Sequence, residues 1–256
     1  NHSDDGSVAM LTQKFPWVRV LALQQNLGFS KANNAGVAQA NGRYILYLNP
    51  DTIVPEDCFK RCIRFMDAHP QAGALGCRLV DGTGRFLPES KRGFPSARVA
   101  FFRITGLSKW FSRSAYFNTY HLGYLPEEEI HPVDVLAGCF MFCRKDLIDR
   151  LHGFDEDYFM YGEDIDLSYR IRQAGYQNYY FPETIVIHYK GESTRNNSLH
   201  YVKLFYQAMI IFARKHLRAS QKSLLVALIR IAIYMRALLA FLSRVFSTLS
   251  LPLLDA

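Results

Sequence analysis

The chain has 256 residues, of which 49% are hydrophobic and 21% charged, with a formal net charge of +7. That balance excludes a disordered chain, and the length suits one domain of roughly 200–220 residues with an appendage. From Arg195 to Ala256 nine Lys or Arg stand against a single acid, Asp255, while the first 194 residues are close to neutral, so the tail is the part that meets an anionic surface.

The opening NHSDDGS (1–7) is polar and has no signal-peptide character. Thereafter the pattern is that of an α/β protein. VRVLAL (18–23) predicts a buried strand, SKANNAGVAQA (30–40) a helix and YILYL (44–48) a second strand. PEDCFKRCIRFMDAHP (55–70) predicts a helix with Pro55 in its first turn and Phe59, Cys62, Ile63 and Met66 on one face. ALGCRLV (74–80) follows as a third strand and DGTGR (81–85) as a turn. Residues 86–132, rich in aromatics, Arg and Pro without a clean period, suggest a long mobile segment over a site. VDVLAGCFMFCR (133–144) returns to strand character, and KDLIDRLHGF predicts a short helix stopped at Gly153. GEDIDLSYRIRQAG predicts a helix ending at Gly175, with TIVIHY (184–189) as the next strand. No repeats or low-complexity segments occur.

LHYVKLFYQAMIIFARKH (199–216) is an amphipathic pattern suited to packing on the domain. Beyond Ser220, Lys222, Arg230, Arg236 and Arg244 fall within a ~120° arc of a helix whose remaining circumference is apolar. No uncharged stretch there reaches the roughly 20 residues of a membrane span. A basic stripe beside a wide apolar face suits a helix in a membrane interface, or a helix pair packed on another subunit. Nucleic acid is excluded, because these cations lack aromatic stacking partners interleaved among polar residues. The five cysteines form no C-x-x-C pair and no zinc-ligand spacing, and they read as buried reduced thiols of a cytosolic protein.

Three segments carry candidate chemistry. Asp51 lies just past the strand YILYL, where α/β folds place ligands, and a carboxylate there can hold a hard divalent cation against diphosphate oxygens. N-P-D-T is also a good plain turn. Glu163 and Asp164 begin a helix after FMYG; acids there favour the helix dipole, and Asp166 with Arg170 makes an i,i+4 pair. Two adjacent acids point in different directions, so one can hold the helix entrance while the other faces a cleft as a general base. His188 ends the strand TIVIH, and Lys190 in the polar loop after it is available to a phosphate. A His at a strand end is often structural, but an imidazole also completes a metal site begun by one carboxylate and two phosphates.

Taken together, NLGFSKANNAG (26–36), YILYLNPDT (44–52), VLAGCFMFCR (135–144), GFDEDYFMYGEDIDLSYRIRQAGY (153–176) and IVIH (185–188), with NHSDDGS, resemble the inverting glycosyltransferases of family 2, especially their rhamnosyltransferase-like branch. The resemblance covers about residues 1–215. It implies a GT-A fold, Rossmann-like with a mostly parallel sheet flanked by helices. A glycosyltransferase domain would span 1–217 and a basic amphipathic tail 218–256. It further implies that Asp51 and His188 bind Mn2+ or Mg2+, with Asn49 in place of the first acid of the D-x-D motif. Asp164 would be the base, with Glu163 as second choice. Asn26, Gly28, Asn34, Asn49 and Lys190 would line the nucleotide and donor site, and Ala137, Gly138 and Cys139 would pass the donor sugar and acceptor.

The implied partners are dTDP-rhamnose or a UDP-hexose, a glycan or lipid-linked acceptor, and an anionic membrane surface met by 220–250, at the inner face of the cell membrane. The family's chains carry a β-α-β unit before the N-x-S-x-D-G-S segment, so the expectation is a chain lacking that unit. The alternative is a catalytically silent, membrane-bound scaffold.

Overall fold

The computed structural model describes residues 1–189, 198–219 and 222–231. After α1 (Ser7–Lys14) and α2 (Phe29–Val37), strand β1 (Tyr44–Leu48) leads through the two-residue β2 (Thr52–Ile53) to α3 (Cys58–Ala68) and β3 (Ala72–Val80). A 3₁₀ turn (Pro88–Ser90), α4 (Ala97–Ile104) and α5 (Leu107–Trp110) precede β4 (His131–Val133) and β5 (Phe140–Arg144). Then come α6 (Lys145–Arg150), α7 (Glu163–Gln173), β6 (Gln177–His188) and α8 (Ser198–His216), and residues 222–231 are again helical.

One six-stranded sheet runs β1-β5-β3-β6-β2, with β4 on β6. Helices cover both faces, and the side chains of each strand divide between the two layers as the pleat requires. Ile45 and Tyr47 of β1 and Met141 and Cys143 of β5 face α6 and α7 with Leu147, Ile148, Leu167 and Ile171. Phe140 and Phe142 of β5, with Leu75, Cys77 and Leu79 of β3, face α3. A third cluster joins α7, α8 and α4 around Phe212, Ile165 and Val135, and Leu225 and Ile229 belong to it.

Several expectations are corrected. The sheet is mixed: only β3 and β6 pair in parallel, and the other pairings are antiparallel. Residues 18–23 form no strand, and Val18 and Leu21 are exposed. Alternating β-branched residues need a ladder partner, and among the described residues none lies beside them. On α3 the buried face is Cys58, Cys62, Phe65 and Met66, while Phe59 and Ile63 are exposed. The helix is rotated about one residue from the predicted face because the neighbouring sheet offers its apolar surface to Phe65, whose ring meets Phe181 at 5.0 Å. Residues 133–144 are two strands rather than one, interrupted by a turn in which Phe140 N–H donates to Ala137 O at 3.1 Å. The segment 86–132 is folded, with two helices and a buried Lys91 whose ammonium donates to the carbonyls of Leu122 and Leu125. It lacked a readable period because its elements are only three to eight residues long.

Candidate active site

The end of β1 and the end of β6 are brought together by β2. Thr52 is the ladder partner of His188, and Tyr189 N–H donates to Asp51 O at 2.9 Å. Thr52 Oγ1 donates to Asn49 O at 2.7 Å and Asn49 N–H to Cys139 O at 3.0 Å, which folds N-P-D-T back onto the 137–139 turn. Asp51 Oδ1 thereby stands 3.4 Å from His188 Nε2, with both side chains largely covered. Asp51 Oδ1, the atom facing His188 Nε2, is buried without a hydrogen-bond partner among the described residues, and so is the other ring nitrogen of His188, Nδ1. Such atoms call for a counterpart. Oxygen and imidazole nitrogen at this separation can share one divalent cation with ligand bonds near 2.1 Å, so the pair fits a Mn2+ or Mg2+ site.

The acidic pair sits at the entrance of α7. Gly162 precedes the helix at φ 82°, and a Cβ there would come within 2.9 Å of Ala208, so glycine alone lets the chain turn in against α8. Two adjacent acids then separate in environment. Glu163 is buried, and burial, reinforced by the neighbouring Asp164 charge, pushes its carboxyl up to about 8. Its Oε2 has no hydrogen-bond partner among the described residues. Asp164 is held on all sides: Oδ2 accepts from Arg92 Nη2 at 2.6 Å and from Gly138 N–H at 3.2 Å, and Oδ1 from Ile165 N–H at 2.8 Å. A Cβ on Gly138 would lie 3.3 Å from Asp164 Cβ, so this close approach depends on glycine. The Cys139 thiol reports how the groups converge. Burial first, then the charges of Glu89, Asp164 and Asp51 against that of Arg92, bring it to about 12.

Arg92 was not legible in the sequence. It lies 72 residues from Asp164, in a segment without periodicity. Its second contact, to Leu136 O at 2.7 Å, anchors it beside the 137–139 turn. Burial works against its charge, and the Asp164 carboxylate more than restores it. The one available signal was an Arg in a run free of acids.

The glycine-asparagine segment is placed by the loop before α7. Asn26 Oδ1 accepts from Gly28 N–H at 3.0 Å, and Phe29 N–H donates to Phe159 O at 2.8 Å. Asn1 joins them: its Oδ1 accepts from Leu27 N–H at 2.8 Å and its Nδ2 donates to Asn26 Oδ1 at 3.0 Å. Asn34 commits its amide to the same loop, accepting from Phe154 N–H at 2.9 Å and donating to Phe154 O at 2.8 Å. Asn34 therefore fixes the path of 154–156, while Asn26 and Gly28 fix the turn entering α2. Asp166 makes the anticipated pair with Arg170 at 2.6 Å, and its other oxygen meets His216 Nε2 of α8 at 2.6 Å. Lys190 lies outside the described residues, as does most of 220–250.

Residues 1–151 match the family described as glycosyl transferase family 2. A curated relative from Mycobacterium tuberculosis (strain CDC 1551 / Oshkosh), N-acetylglucosaminyl-diphospho-decaprenol L-rhamnosyltransferase, is 28% identical over 83% of this chain and 72% of its own length. Rhamnosyltransferase WbbL of Escherichia coli (strain K12) is 33% identical over 66% of this chain and 63% of its own. Among solved structures, the mannosyltransferase PcManGT from Pyrobaculum calidifontis, in complex with GDP-Man and Mn2+, aligns with 98% of this chain and 69% of its own at TM-score 0.54 and 16% identity, a likeness of fold. The chain belongs to glycosyl transferase family 2 and is a glycosyltransferase of the GT-A fold.

Proposed function

We propose that this chain moves a sugar, with inversion, from a nucleotide diphosphate to a hydroxyl of a cell-surface glycan or lipid-linked acceptor. dTDP-rhamnose is the favoured donor and a UDP-hexose the next. The names of the rhamnosyltransferase relatives support the sugar, and the decaprenol-diphosphate relative supports a lipid-linked acceptor. The observation that carries the reading is the buried Asp51–His188 pair, 3.4 Å apart and short of partners, at the strand ends where α/β folds bind ligands.

Asp51 and His188 would hold Mn2+ or Mg2+, which when bound neutralises the departing diphosphate. Asp164 takes the acceptor proton. Arg92 and Gly138 N–H aim its carboxylate, and an acceptor hydroxyl reaching Oδ2 replaces one of those donors. Buried Glu163, neutral below about 8, keeps a second negative charge away from Asp164 at neutral pH. Asn26 and Gly28 shape the nucleotide side, and Ala137, Gly138 and Cys139 the sugar side. Residues 1–217 form the transferase domain and 218–256 a basic tail for an anionic membrane at its cytoplasmic face. Among the described residues no helix is long and apolar enough to cross a membrane.

The test is calorimetric titration with dTDP and UDP, with and without Mn2+. Metal-dependent binding, reduced at least tenfold in Asp51→Ala, supports the reading. Metal-independent binding unaffected by Asp51→Ala removes the metal site, and no nucleotide binding under any condition favours a silent scaffold.

A further inference from the structure

The segment that delivers Arg92 continues into a lobe that the transfer chemistry does not use. From Lys91 to Pro126 the chain has six Lys or Arg and no acid. Ser96 caps α4, accepting from Val99 N–H at 3.2 Å, and α4 turns Val99 and Phe102 inward. Phe102 meets Phe117 at 4.9 Å, and Phe117 stacks on Phe111, also at 4.9 Å, which gives the lobe its own small aromatic interior. Its exterior is just as aromatic. Trp110 is 83% exposed, Tyr116 58%, Phe111 48% and Phe101 46%. Arg98 stands over the Tyr116 ring at 5.3 Å, and Arg103, Lys109 and Arg113 lie in the same stretch.

Exposed aromatics gathered this closely mark an interaction surface. The accompanying charge identifies the partner. Rings with an apolar body and a polar edge, cations on long apolar stems, and no carboxylate over the whole stretch are the composition of a membrane-interface segment. The lobe also adjoins the start of the basic tail, because Ala97 and Ala100 of α4 pack in the same cluster as α8, Leu225 and Ile229.

We infer that residues 97–117 dock on an anionic phospholipid bilayer, with Trp110, Phe111 and Tyr116 entering the boundary between headgroups and acyl chains and the Arg and Lys side chains meeting lipid phosphates. The purpose of such docking, to present Asp164 to a lipid-linked acceptor, rests on the transfer reading. The docking itself is a property of the lobe and is measured without donor or acceptor.

The experiment uses the full chain carrying Trp17→Phe, which leaves Trp110 as the only tryptophan of the two. Its fluorescence is followed on vesicles of phosphatidylcholine alone and of phosphatidylcholine with phosphatidylglycerol. The expected result is a blue shift on the anionic vesicles, reversed by salt and quenched by bromine on the acyl chains. Sedimentation with the same vesicles is expected to fall about tenfold in Trp110→Ser, which leaves the Phe111–Phe117 stack in place, and about tenfold at low ionic strength in Lys109→Gln/Arg113→Gln. Unfolding temperatures, measured alongside, stay unchanged because the substituted side chains are exposed.

Three results overturn the inference. One is unshifted Trp110 emission on vesicles that still bind the protein, which assigns binding to the tail. Another is an equal shift on neutral vesicles. The third is a blue shift that grows with protein concentration without lipid, which makes a second copy the occupant. The lipid-free nucleotide titration fails or succeeds separately, so loss of either reading leaves the other standing.

Discussion

Arg92 reaches Asp164 at 2.6 Å in surroundings that leave both side chains mostly covered, so a residue absent from every recognisable motif sets the posture of the proposed base. Asp164→Asn is expected to lower the transfer rate by about 10²–10⁴ with donor affinity within a few fold. Arg92→Met is expected to lower kcat by roughly 10–100-fold with the donor KM nearly unchanged, a split that a folding defect would not produce. Steady-state rates against donor concentration distinguish the two, and normal turnover in Asp164→Asn would pass the role to Glu163. Glu163 offers its own signature. Its carboxyl is raised from 4.5 to about 8, so between those values the folded chain holds a proton that the unfolded chain has released. Stability from this group is complete below the lower value and declines as pH rises through the upper one. Glu163→Gln is therefore expected to gain on the native chain from pH 5 to pH 8 in thermal scans, where each kcal/mol is worth about 2–4 °C in a chain of this size. Parallel curves would contradict it.

At the level of elements, legibility followed how much of each feature was local. β1, the core of β3 and the acidic opening of α7 were readable because strand alternation, helix caps and i,i+4 pairs act over a few residues. The chemistry of Asp51, His188 and the Glu163–Asp164 pair was readable as types at strand and helix ends. Their meeting was not, since it depends on the Thr52–His188 pairing and on a glycine approach at 138. Residues 18–23 show the opposite failure, a strand pattern with no neighbouring ladder, and α3 shows that a hydrophobic stripe leaves about one residue of rotation open. The α3 face can be checked directly. Phe59→Ser on the exposed side is expected to change stability by no more than about 0.5 kcal/mol, whereas Met66→Ala in the fully buried core costs about 2–5 kcal/mol, by denaturant unfolding.

For the whole molecule, the proposed boundary near residue 217 divides the sequence by composition, yet packing runs across it. Leu225 and Ile229 are buried in the cluster that holds α8 to α7, and Asp166 ties the end of α8 to the acidic helix through His216. A chain ending at 231 keeps Leu225 and Ile229 in that cluster. One ending at 217 gives up the burial of both side chains, about 1.5–3 kcal/mol each, and is expected to unfold several degrees lower by calorimetry. Equal unfolding temperatures for the two truncations would make 222–231 an independent appendage.

The pairing that joins β2 to β6 spans just two residue pairs at the rim of the sheet, and both proposed cation ligands hang from it or beside it. Sliding that contact by one place would send the imidazole to the opposite face. A divalent ion gripped there would act as a removable rivet, so chelation would loosen the rim itself, and amide exchange at Tyr189, whose N–H donates to Asp51 O, becomes a gauge of whether the sugar donor has anywhere to land.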